Sequence, residues 1–261
     1  MCRIISINQK TNQKLKQKPR NKIINQIIHW KHYNNDGLAL LAYNNDSKDQ
    51  DRVLLKFLKI KNKKIRKKLD KIIKTKDNII IHLRANTAGA TTAKNIHLWQ
   101  HNGWFFGHNG FCAKKSNDLS ESDSLDFFNN HKKYLFPNKL NHLKIVQKAK
   151  NYNLIGKTLH VNPDKKQIYL MGDFEMYAMN NALIASSHSL DDDYGSIDYD
   201  INGVNLLMSP TQTIKQLKKS FTANPYYGYR YYDQYYGFDD RSQLRNDTHY
   251  DRMGSIRRIG F

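Results

Sequence analysis

Short apolar runs, each closed by polar turn residues or a lysine-rich stretch, restrict most severely what this chain can fold into. Residues 2–8, 37–43, 53–60, 78–84, 104–112, 167–174 and 182–186 each carry enough aliphatic or aromatic residues for a strand. None approaches the roughly 20 apolar residues of a membrane-spanning helix. The runs 37–43 and 53–60 read as a hairpin, because the Asn-Asn-Asp-Ser that follows Tyr43 is turn chemistry. Residues 10–24 read as a polar loop with a fragment of helix. In 61–74, Ile65, Leu69, Ile72 and Ile73 share one helical face, so the lysines and Arg66 are its solvated side. Further helices are expected after Ser122, over 138–151 and over 211–221. The glycines in 104–112 break that strand where a backbone must come close to something. Most strand pairs are close in sequence, which favours antiparallel pairing. The expected class is therefore α/β in the α+β sense, with antiparallel sheets covered on both faces.

Composition separates a folded body from a tail. The 261 residues are 39% hydrophobic, enough for one large domain with a very polar surface. Residues 2–208 are expected to form that domain and 209–261 a basic helix followed by a largely disordered, tyrosine-rich tail. Residues 226–237 alternate Tyr with Gly, Arg and Asp and lack the aliphatic residues of a core. The net charge of +20 reads first as a lysine- and asparagine-rich composition, and second as attraction to an acidic partner such as nucleic acid. Two cysteines make no disulfide framework, and the N-terminus has no apolar signal segment. A cytoplasmic, membrane-free location is expected, where a thiol stays reduced.

One of those cysteines follows the initiator directly. Removal of Met1 would leave Cys2 with both a thiol and a free α-amine, whose ordinary pKa of roughly 7.7–8.0 lets it act as a base near neutrality. Such a residue is nucleophile and base at once. The chain then reads His-Leu-Arg-Ala-Asn-Thr-Ala-Gly at 82–89, Asn-Ile-His at 95–97, Gly-His-Asn-Gly at 107–110 and Ser-Asp-Ser at 122–124. Together, in this order, these pieces resemble the glutaminase domain of class II glutamine amidotransferases, which are N-terminal-nucleophile hydrolases. The resemblance covers about 2–208 and is concentrated in 2–124.

The resemblance implies a four-layer α-β-β-α sandwich of two antiparallel sheets, the N-terminal-nucleophile hydrolase fold. It implies Cys2 as nucleophile, with the Asn109 side chain and the Gly110 N–H as oxyanion donors. It places Arg84 on the substrate α-carboxylate, Asp123 on the α-ammonium, and Thr87 and Gly89 in the carboxylate loop. Residue by residue, other readings stay open: Arg84 as a surface charge, Asp123 as an early-helix cap, Asn109-Gly110 as a hairpin turn. His82, His97 and His108 show no diagnostic ligand spacing, so no metal and no cofactor are expected. Cys112 reads as core, and Asp173 and Glu175 carry no assignment. The chain departs from the family at Leu98, where a proline is usual, and at Ala85-Asn86, where an aromatic and a small residue are common.

The expected activity is hydrolysis of glutamine to glutamate and ammonia through a thioester on Cys2. No Gly-rich phosphate loop is present, so the ammonia acceptor is expected on a separate chain. The alternatives are an N-terminal cysteine hydrolase acting on another amide, and a non-catalytic scaffold or nucleic-acid-binding protein.

Overall fold

In a computed structural model of the chain, the residues described are 1–45, 51–112, 118–136, 154–172, 174–179, 182–190, 196–197, 206–208, 248–250 and 256–258. The expected helices at 138–151 and 211–221 lie outside them. Within the expected tail only 248–250 and 256–258 are described.

Two antiparallel sheets make up the mixed α/β body. The first is ordered β11-β9-β10-β1-β4-β2-β3. Its strands are β1 (Arg3–Gln9), β2 (Gly37–Tyr43), β3 (Val53–Phe57), β4 (Asn78–Arg84), β9 (Glu175–Met179), β10 (Ala182–Ser186) and β11 (Ser196–Ile197). The second is ordered β12-β8-β7-β6-β5, from β5 (Trp99–His101), β6 (Trp104–Cys112), β7 (Leu154–Asn162), β8 (Gln167–Met171) and β12 (Leu206–Met208). β13 (Thr248–Tyr250) and β14 (Ile256–Arg258) pair separately.

Period-two alternation divides the first sheet between two cores. Ile5, Ile7, Ile79, Ile81 and Leu83 pack with the apolar faces of α1 (Gln17–Tyr33) and α2 (Asn62–Thr75). Ile4, Ala39, Leu41 and Ile80 point the other way, into a core shared with Phe105, Leu159, Val161 and Ile168 of the second sheet. Trp104 and Phe106, alternating with Phe105 on β6, pack with Leu125, Phe127 and Phe128 of α3 (Asp123–Leu135). Strands that are buried on both faces read as continuous apolar runs, which is why β2 and β4 stand out in the sequence.

Three expectations need correction. The polar segment 10–24 was read as mostly loop, but α1 runs through Tyr33 and buries Ile23, Ile24, Ile27 and Trp30. Its amphipathic stripe extends past the point where that reading stopped. The run 167–174 is not one strand. β8 ends at Met171, Gly172 turns at φ +92°, and β9 belongs to the other sheet. Strand β6 is continuous through its glycines, pairing with β7 from Phe105 to Cys112. β5 and β7 were not anticipated. Gly156 and Lys157 dilute the apolar pattern of β7, and β5 has only three residues.

Candidate active site

Arg3 faces Leu83 in the β1–β4 ladder, so Cys2 and Arg84 lie at the same end of two paired strands. Both are buried. The Cys2 thiol donates weakly to the Ala85 carbonyl at 3.7 Å. Burial raises its pKa above the ordinary thiol value, against the lowering influence of that bond and of Arg84. A protonated thiol needs a base before it can attack.

Arg84 is held rather than solvated. Its Nη2 donates to Asn86 Oδ1 at 2.7 Å and to Ala88 O at 3.0 Å. Its Nη1 is buried and has no hydrogen-bond partner among the described residues. The surface-charge reading of Arg84 therefore fails. Asn86, one of the departures from the family pattern, supplies a guanidinium acceptor, and its own N–H donates to Asp36 Oδ2 at 2.7 Å.

Thr87, Gly89 and Asp123 line one cavity of about 400 Å³, together with Phe111 and Leu119. Cys2, Arg84, Asn109 and Gly110 are not among its lining residues. Gly89 has φ +76°, and a Cβ there would lie 2.5 Å from the Glu121 and Ser122 backbone. The loop after β4 is thus pressed against the segment entering α3. Asn95 ties the two together. Its Nδ2 donates to Ala90 O at 2.7 Å and Ser120 O at 2.8 Å, and its Oδ1 accepts from Ser122 N at 2.8 Å.

Asp123 begins α3, but Ser122 is the cap, accepting from Leu125 N through its hydroxyl at 3.2 Å. The Asp123 carboxylate accepts from the Cys112 and Ser124 backbone N–H groups. It is buried and fixed in place by these bonds.

Asn109 and Gly110 sit inside β6, opposite Lys157 and Gly156, and not in a hairpin turn. Asn109 Nδ2 donates to Ser187 Oγ at 3.0 Å, while Oδ1 is buried without a partner. Ser187 Oγ also accepts from Ile4 N at 2.8 Å, which ties the Asn109 side chain to β1 two residues from Cys2. An incoming oxyanion would have to replace Ser187 as the acceptor for Nδ2.

The histidines form a buried stack that sequence reasoning treated only as lining. His82 and His97 stack with centroids 3.8 Å apart. His82 Nε2 donates to His108 O at 3.0 Å, since a carbonyl can only accept. His108 N donates to His97 Nδ1 at 3.1 Å. His108 itself bridges Ser124 Oγ at 2.8 Å and Ile155 O at 3.0 Å. Burial lowers all three, His82 to about 3 and His108 to about 4, so they are neutral near pH 7. With one ligand atom each, Cys2, His82 and His97 lie within 4.8 Å of one another. That convergence needs β1, β4 and the residues before β5 in place, and no ligand spacing in the sequence announces it. Leu98, where the family has proline, adopts φ 61°, a conformation that proline cannot reach.

Among the described residues no helix is long and apolar enough to cross a membrane. No family model and no curated protein sequence matches the chain. Among solved structures it is similar to glutamine phosphoribosylpyrophosphate amidotransferase from B. subtilis complexed with ADP and GMP, at 14% identity and TM-score 0.46. That alignment covers 80% of this chain and 46% of the other, so the chain spans about half that protein's length. It is also similar to a glutamine aminotransferase class-II domain protein from Silicibacter pomeroyi, at 9% identity and TM-score 0.39, covering 81% of this chain and all of the other. The residues, rather than these likenesses, carry the functional reading.

Proposed function

We propose that the chain is a glutamine amidotransferase of the class II kind, hydrolysing glutamine through a γ-glutamyl thioester on Cys2 once Met1 is removed. The observation that carries this is the buried Arg84 Nη1, unpartnered and on the strand end beside Cys2. A buried guanidinium N–H without an acceptor is costly, and a substrate α-carboxylate supplies the missing acceptor in a charge-assisted bond.

The α-amine of Cys2 takes the thiol proton, and sulfur attacks the amide carbon of glutamine. Asn109 Nδ2 and the Gly110 N–H hold the resulting oxyanion. Collapse passes the proton to the leaving nitrogen, releasing ammonia and the thioester. Water then frees glutamate and restores the thiol. Asp123 receives the substrate ammonium, and Thr87 and Gly89 shape the loop around its carboxylate. The three successive cores, helix on sheet, sheet on sheet and sheet on helix, support a four-layer N-terminal-nucleophile hydrolase architecture for 2–208. In this reading 209–261 is an appendage, the acceptor enzyme is a separate chain, and the protein works in a reducing compartment such as the cytoplasm.

Phe111 and Leu119 add an apolar wall that a small polar amino acid does not require. This favours, as the second reading, an N-terminal cysteine hydrolase acting on a larger γ-glutamyl or acyl amide. Incubation with a diazo-ketone glutamine analogue, followed by peptide mass spectrometry, tests the first. A single adduct on Cys2 of a Met1-free chain is expected. A Met1-free chain that stays unmodified, yet cleaves an N-acyl amide, would replace the first reading with the second.

A further inference from the structure

We propose that Cys2, His82 and His97 form a binding site for a thiophilic divalent cation of the zinc class. All three are buried, and one ligand atom from each falls within 4.8 Å of the others. With bonds of ~2.0–2.3 Å, the ligands of a tetrahedral zinc stand roughly 3.5 Å apart, so a contraction of about 1 Å closes the site. One sulfur and two imidazoles are a donor set suited to zinc, and poorly suited to magnesium or calcium.

His82 is already arranged as a ligand. Its Nε2–H is anchored on the His108 carbonyl, the kind of outer bond that fixes a ligating imidazole's tautomer. That leaves the lone pair on Nδ1, which is buried and has no hydrogen-bond partner. His97 requires a rearrangement. Its Nδ1 accepts from the His108 N–H, so offering Nε2 means shifting the ring proton to Nδ1 and giving up that one bond. A single backbone hydrogen bond is a small term beside coordination of a divalent cation. Cys2 releases its thiol proton to solvent as the sulfur–metal bond forms. Three protein ligands leave a fourth position, which the Cys2 α-amine can fill by chelation after Met1 removal.

Binding stands on these side chains alone. Its consequence rests on the thioester reading: a metal-bound sulfur has no free lone pair to attack an amide, so the cation is a reversible inhibitor lifted by a chelator.

The test is titration of the chelator-stripped, full-length chain with Cd2+, following the thiolate-to-metal absorption, and with Zn2+ by calorimetry. One equivalent should bind, and Zn2+ should protect Cys2 from alkylation. Cys2→Ala should abolish the absorption band while Cys112→Ala keeps it. His82→Gln and His97→Gln should each weaken binding by more than the ~10–100-fold that loss of an outer partner costs. Where a histidine variant does not fold, the alkylation protection of the wild-type chain decides. Absence of saturable binding, or a band that survives in Cys2→Ala, overturns the site. Tight binding that leaves glutamine turnover unchanged overturns inhibition alone. Absence of turnover in the stripped protein counts against the glutaminase reading and leaves the metal site standing.

Discussion

Gly110 faces Gly156 across the β6–β7 ladder, and neither position has room for a side chain. A Cβ on Gly110 would lie 1.8 Å from the Ile155 carbonyl oxygen and 2.7 Å from His108 Nε2. A Cβ on Gly156, at φ +116°, would lie 2.2 Å from Asn109 O. The strand bearing Asn109 is therefore clamped between backbone atoms that cannot yield cheaply. Gly110→Ala and Gly156→Ala should each cost ~1–3 kcal/mol or more and lower turnover beyond the loss of folded protein. Thermal melts with activity per folded molecule check this, and a melt within 1–2 °C of wild type for Gly110→Ala would count against the clamp.

Arg84→Lys keeps the charge and removes the fork. A hydrogen bond to a charged group contributes about 1.5–3 kcal/mol. KM for glutamine should therefore rise roughly 10- to 100-fold, with kcat less affected. Steady-state kinetics on glutamine measures it; a lower kcat at unchanged KM would move Arg84 out of the substrate grip.

Asn109→Ala removes a proposed oxyanion donor. The expected loss is ~10²–10³ in kcat with little change in KM. An unchanged kcat would mean that Asn109 never leaves Ser187 during turnover.

Met1 is 71% exposed, so the core does not need its removal. Its carbonyl accepts from Asn34 Nδ2 at 2.6 Å. A chain with a blocked or extended N-terminus should melt with the wild type and yet resist the diazo-ketone analogue, because Cys2 then lacks its amine. Labelling of that chain at the full rate would show that another group deprotonates Cys2.

The buried histidines make the metal-free protein acid-labile. Burial holds His82 at about 3 and His108 at about 4, below the 6.5 of an exposed ring, and His97 is lowered as well. As pH falls below about 6.5 the unfolded chain takes up these protons first. Stability should then decline toward pH 4 by up to ~1.4 kcal/mol per pH unit for each histidine. Denaturant titrations between pH 7.5 and 4.5 in the presence of a chelator check the slope, and a flat profile would mean the rings are solvated.

What the sequence by itself determined is local. Ile79 to Leu83 and Gly37 to Tyr43 announce buried strands, and Ile65, Leu69, Ile72 and Ile73 announce a helix face, because residue spacing along one element decides which side it buries. The motif order also singled out Arg84, Thr87, Gly89, Asn109, Gly110 and Asp123 as candidates. The tertiary structure decided what no spacing encodes. It stacked His82 on His97 beside Cys2, set Asn95 between two loops, seated Asn109 against Ser187, and opposed Gly110 to Gly156 on a strand that the sequence pattern hid. These pairs are separated by up to 78 residues, and their meeting depends on sheet register and on which sheet a strand joins. Side-chain periodicity reports a strand's faces but not its neighbours, so partners across a ladder appear only once the chain has folded.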